Sequence, residues 1–124
     1  MALPITIDDQ ADSQANHVAA RAFALTSGVW FAFATSFGMI AAGYLIAPDF
    51  MANIEFIHFG RVRPIHVNLV LFGFVTPGLL AAAFYFTPRL LRTHLFSQKL
   101  GVITAVLWNI MLVAAVVSLA MGYS

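Results

Sequence analysis

Polar and apolar positions along this chain fall into long blocks, with none of the short alternation of a half-buried strand. Residues 22–48, 64–88 and 100–124 contain no Asp, Glu, Lys or Arg. Each block exceeds the ~20 residues an α-helix needs to cross a hydrocarbon core about 30 Å thick. The pattern predicts an all-α polytopic membrane chain with transmembrane helices over about 21–47, 64–87 and 97–122, forming part of a larger helical bundle. Residues 1–20 read as a polar tail, with a surface helix from Asp12 onward that Asp12 or Ser13 would cap. Pro48 and Asp49 end the first apolar block, and Pro64 suits the first position of the second helix, where its missing N–H is not needed. Pro77-Gly78 predicts a kink in that helix, because proline removes one backbone hydrogen bond and crowds the preceding turn. Gly28, Ala32 and Ser36 recur every four residues, a small-residue face that lets another helix approach. Trp30, Phe31, Phe33 and Phe37 read as lipid- or helix-facing bulk.

Composition narrows the function classes. The chain is 61% hydrophobic and 9% charged, against roughly 25% charged in soluble domains. Its formal net charge is +1, which gives no electrostatic footprint for nucleic acid. There is no cysteine, so disulfides, thiolate metal sites and covalent haem attachment through C-x-x-C-H are excluded. The N-terminus is acidic (Asp8, Asp9, Asp12) and does not resemble a signal peptide. Arg21, Arg89, Arg92 and Lys99 belong to the tail and the second loop, and Arg61 and Arg63 to the first loop. That asymmetry predicts a cytoplasmic N-terminus, with residues 48–63 and the C-terminus on the outer face.

The sharpest chemistry lies at the predicted start of helix 2. His66 follows Pro64 by two residues, shallow in the apolar run, and ionisable groups at membrane depth are usually functional. Neutral imidazole is a good iron ligand, and a pair of arginines suits two carboxylates. His66 therefore reads either as an axial ligand of a haem, with Arg61 and Arg63 beside its propionates, or as a plain interfacial polar residue. Leu69, Val70 and Gly73 follow on its face at i+3, i+4 and i+7, and the glycine would let a flat macrocycle approach the backbone. His17, His58 and His94 have no histidine at helical spacing, and no second haem ligand faces His66.

The stretch Phe59-Gly60-Arg61-Val62-Arg63-Pro64-Ile65-His66-Val67-Asn68 resembles the F-G-R-L-R-P-L-H-T-N word of the catalytic subunit of cbb-type haem-copper oxidases. The resemblance continues through Leu71-Phe72-Gly73-Phe74, Ala83-Phe84-Tyr85-Phe86, Leu95-Phe96-Ser97-Gln98-Lys99-Leu100 and Met121-Gly122-Tyr123, and covers roughly residues 28–124. Val67 stands where the family has threonine, and Pro77-Gly78 where it has a small-residue pair. By position the resemblance implies that His66 is one axial ligand of a non-covalent low-spin haem b, with Arg63 and Arg61 on its propionate side. The other axial histidine, the copper ligands and the high-spin haem of the family lie on later helices. The implied assembly is a split oxidase in a bacterial inner membrane. A larger subunit would carry the remaining helices, the copper and the high-spin haem, and a cytochrome c-type donor would supply electrons. A component of a nitric oxide reductase-like complex and a non-catalytic accessory subunit are the alternative readings, since nitric oxide reductases share the R-P-x-H-x-N word.

Overall fold

The computed structural model describes residues 17–123, and every element among them is helical. Helix α1 spans Val18–Ile46, α2 runs continuously over Phe59–Leu90, and α3 spans Gln98–Ala120. A single 3-10 turn, Glu55–Ile57, precedes α2. At ~1.5 Å rise per residue, the 29 residues of α1 reach about 43 Å, longer than a hydrocarbon core of about 30 Å. Its ends therefore reach headgroup depth, which lets Arg21 sit in its first turn. All three helices are long and apolar enough to span a membrane, and large side chains such as Leu25, Leu45 and Leu79 are exposed on their outer faces. The chain is a multi-pass membrane protein. The surface helix expected from Asp12 lies outside the described residues.

Helix starts differ from those read in the sequence, and each difference has a physical reason. α1 begins at Val18, where its Ala19 N–H is satisfied by Gln98 Oε1 at 3.1 Å from the start of α3, a cap supplied across the bundle. α2 begins at Phe59, five residues before Pro64, so Arg61 and Arg63 lie inside the helix and not in a loop. Pro64 is tolerated there because the carbonyl it leaves unpaired, that of Gly60, is in the exposed first turn and open to water. α3 follows Ser97, whose hydroxyl accepts the Leu100 N–H at 3.2 Å as an N-cap. It closes with Gly122 at φ +88°. The Gly122 N–H donates to Leu119 and the Tyr123 N–H to Ser118, a left-handed C-terminal cap that glycine adopts without strain.

Just before Pro77-Gly78, where a kink is expected, the helix changes its hydrogen-bond pattern. Leu69–Val75 is a π-helical stretch, with the Thr76 N–H reaching back five residues to the Leu71 carbonyl. Carbonyls loosened there find donors on neighbouring groups. The Thr76 hydroxyl donates to Leu71 (2.8 Å), Trp108 Nε1 of α3 to Phe72 (2.8 Å) and the Ser27 hydroxyl of α1 to Phe74 (2.8 Å). This is how an irregular helix is tolerated in lipid: side chains of the same and neighbouring helices take up carbonyls of the stretch.

Two buried clusters hold the helices together. Ala34, Ile65, Leu69 and Leu112 join all three, with Trp30 and Phe37 packed against them. Phe23, Ala81 and Ala105 form the second, where the Phe23 ring stacks on Phe84. Between α1 and α3, Trp30 Nε1 donates to Asn109 Oδ1 at 2.7 Å, and Asn109 Nδ2 to the Ala105 carbonyl at 2.7 Å. The small-residue face of Gly28, Ala32 and Ser36 does not pack against another helix among the described residues. All three residues are exposed, and no atom lies within 4 Å of a Cβ built on Gly28. The bundle instead uses Ser27, Trp30, Ala34 and Gly38 on the neighbouring face.

Candidate functional site

His66 sits between α1 and α2, with its ring against the backbone of α1. Its Nδ1 lies 2.8 Å from the Ala34 carbonyl oxygen. A carbonyl can only accept, so Nδ1 carries the proton and Nε2 keeps the lone pair. The ring is also pressed onto Gly38, where an added Cβ would stand 2.7 Å from His66 Cε1. Ala34 and Gly38 are one turn apart, and together they fix the tautomer and the seat of the imidazole. Metal-bound histidines are commonly oriented in this way, the second ring nitrogen donating to a backbone carbonyl.

The ring lines a groove of about 410 Å³ walled by Phe31, Gly38 and Met39 of α1 and by Val70 and Phe74 of α2. No charged side chain lines it. The face of α2 in the groove is His66, Val70 and Phe74, a spacing of four, because the wider π-helical turn delays the repeat. Gly73 is consequently not where regular helical spacing would put it. A Cβ on Gly73 would meet Trp30 Cβ at 2.9 Å and Leu112 at 3.2 Å, so that glycine serves the packing of the three helices. The glycine beside His66 is Gly38, on a different helix.

Arg61 and Arg63 point to different surroundings. Arg61 Nη1 donates to the Ala120 carbonyl at 3.0 Å, and Nη2 pairs with Glu55 Oε1 at 3.3 Å. Its guanidinium packs against Gly122, 3.1 Å from the position a Cβ would take. It thus occupies the negative end of the α3 dipole and ties the start of α2 to the end of α3. Arg63 is exposed and makes no hydrogen bond or ion pair among the described residues. It borders a separate cavity with Phe59, Pro64 and Asn68, one turn before His66 along α2. His58 caps α2 through its carbonyl, which accepts the Arg61 and Val62 N–H groups.

The donor set suits a macrocycle better than a bare ion. No group of three or more His, Asp, Glu or Cys gathers among the described residues, so side chains alone offer no cage. An iron porphyrin brings four nitrogens of its own and asks only for axial donors. One imidazole with a fixed tautomer, in an apolar groove, meets that requirement.

A membrane-spanning three-helix chain with a single oriented histidine is the class these features define. Residues 18–124 match the family Cytochrome C and Quinol oxidase polypeptide I. The chain is 33% identical over 104 residues to the cbb3-type cytochrome c oxidase subunit CcoN1 of Stutzerimonas stutzeri, covering 84% of this chain and 22% of that protein. It is 34% identical over 86 residues to a cytochrome c oxidase subunit 1 homolog of Agrobacterium tumefaciens, 68% of this chain and 16% of the relative. A third relative, cytochrome c oxidase subunit 1 of Rhodobacter capsulatus, is 36% identical over 77 residues, 58% of this chain and 14% of its own length. The chain belongs to the cytochrome c and quinol oxidase polypeptide I family and corresponds to an N-terminal region of haem-copper oxidase subunit I. It spans about a fifth or less of the length of these relatives. Membership implies haem chemistry for the assembly in which it works.

Proposed function

We propose that this chain supplies one axial ligand, His66 Nε2, to a non-covalent low-spin haem b, and that it does so beside a larger oxidase subunit carrying the remaining helices. The observation that carries the proposal is the Nδ1–Ala34 hydrogen bond, which leaves a basic Nε2 on a ring that lines an open apolar groove. The haem would relay electrons from a cytochrome c-type donor toward a binuclear oxygen-reducing centre in the partner. This chain's own part is to hold the imidazole in one tautomer, to keep water out with Phe31, Val70 and Phe74, and to offer a cation to the propionate edge. Arg63 suits that last role, being exposed and without a partner among the described residues. Arg61, occupied by Glu55 and Ala120, contributes mainly by positioning the start of α2. The Arg and Lys distribution supports an N-terminus on the cytoplasmic side, and the likeness to bacterial oxidase subunits supports an inner-membrane location.

The test is the optical spectrum of the complex purified through this chain. Wild type is expected to show a reduced low-spin b-type band that His66→Ala abolishes while the chain still inserts and co-purifies with its partner. A band unchanged in the variant would refute the ligand assignment. Oxygen and nitric oxide consumption by the same preparation separates an oxidase from a nitric oxide reductase.

A further inference from the structure

Another cavity separates α1 and α2 at the opposite end of their contact from the His66 groove, and its chemistry is different. About 470 Å³ in volume, it is bordered by His17, Arg21, Tyr85 and Arg89, with Ala20, Ala24, Ala81 and Ala82 as its wall. Arg21 lies in the first turn of α1 and Arg89 in the last turn of α2, so both guanidiniums stand where these helices leave the hydrocarbon. Arg89 Cζ rests 4.3 Å from the centre of the Tyr85 ring, which holds it at the rim. The His17 ring lies 5.0 Å from the same tyrosine. His17 Nδ1 is buried and has no hydrogen-bond partner among the described residues. Neither arginine forms an ion pair with a described residue. The acids among those residues, Asp49 and Glu55, sit in the loop at the other end of the bundle.

Two guanidiniums and an imidazole nitrogen around one cavity, none of them paired among the described residues, call for an anion with several acceptor oxygens. The alanine wall beneath them calls for something apolar attached to it. A free phosphate would use the rim and leave the wall bare. From this juxtaposition we propose that the cavity binds an anionic glycerophospholipid, its phosphate among His17, Arg21 and Arg89 and one acyl chain along the alanines between α1 and α2. Basic pockets between transmembrane helices at headgroup depth are suited to such lipids. The inference stands apart from the role of His66, which lines the other cavity.

Native mass spectrometry of the purified complex, stripped of lipid and reloaded with dioleoyl phosphatidylglycerol, tests it. At about tenfold per 1.4 kcal/mol, removing two interfacial arginines in R21Q/R89Q is expected to weaken retention about thirtyfold. R92Q, which removes an arginine outside the cavity, is expected to retain the lipid as wild type does. Ala24→Leu keeps both charges but fills the wall, and is expected to weaken phosphatidylglycerol retention too. Arg21, Arg89 and Ala24 are all exposed, so these changes leave the core intact. Equal retention in R21Q/R89Q, or equal retention of dioleoyl phosphatidylcholine, would overturn the proposal. So would protection against heat by inorganic phosphate alone that Ala24→Leu does not alter, since that would assign the site to a free anion.

Discussion

The seam between α1 and α2 opens at both ends, and each opening holds one histidine. At one end His66 has its Nδ1 satisfied by Ala34 and its ring seated on Gly38, in a groove without charge. At the other, His17 has a buried Nδ1 with no described partner and two arginines beside it. Under the two proposals above, the same side chain would be prepared for different work. An imidazole whose first nitrogen is tied to a backbone carbonyl is pre-set to offer the second as a ligand. An imidazole left unsatisfied among cations is set to donate to an incoming anion. Between the two openings the helices close up, where Ser27 donates to the Phe74 carbonyl and lies 3.2 Å from where a Cβ on Gly78 would stand.

The sharpest way to break the comparison is to exchange the fates of the two histidines. His66→Ala is expected to abolish the low-spin haem signal, while His17→Ala leaves it intact; reduced-minus-oxidised spectra of the two variants decide. A smaller effect is expected from Gly38→Ala. Its Cβ would fall 2.7 Å from the imidazole, so the ring must shift and its bond to Ala34 stretch. Overpacking of this kind costs about 1–3 kcal/mol, which corresponds to roughly a fivefold to hundredfold loss of haem affinity, read as lower occupancy at limiting haem. Full occupancy in Gly38→Ala would mean that the ring is not held by this contact.

Much of this architecture was legible in the residues, and the parts that were not share a cause. Three charge-free blocks gave three spanning helices, because the bilayer sets a length that local pattern can meet or miss. His66 stood out because imidazole is rare in an apolar run. Gly38 did not, because its importance lies in a contact 28 positions away in sequence, and Ala34 and Gly38 differ little in pattern from Gly28 and Ala32 on the exposed face. Regular 3.6-residue spacing puts Gly73 beside His66, a spacing the π-helical stretch does not keep. Pro64 suggested a late start for α2. The backbone before it was already helical, since a proline six residues into a helix frees only a carbonyl that water can reach.

Ser27→Ala tests the closed middle of the seam. It removes the donor to a carbonyl loosened by the π-helical stretch, in a buried position. Side-chain hydrogen bonds between membrane helices contribute about 0.6–1.7 kcal/mol, so a lowered thermal midpoint of the detergent-solubilised complex is expected. The same change would be felt at both openings, with weaker haem and weaker lipid retention together. An effect at one opening only would show that the two ends are mechanically separate.

The smallest expected effects concern what holds Arg61 away from the groove. Its guanidinium divides between Glu55, which is 81% exposed, and the Ala120 carbonyl at the end of α3. An ion pair with so exposed a partner is screened by water and contributes about 0–1 kcal/mol. A cation at a helix C-terminus contributes about 0.3–1 kcal/mol through the dipole when exposed and up to about 2 kcal/mol when partly buried, with a charged hydrogen bond in addition. The carbonyl should therefore dominate. Arg61→Gln is expected to cost about 1 kcal/mol and Glu55→Gln less than about 0.5 kcal/mol, both read from thermal unfolding at low and high salt. If Glu55→Gln proved as damaging as Arg61→Gln, the ion pair and not the end of α3 would be what anchors this arginine, and Arg61 would be free to turn toward an anionic group near His66.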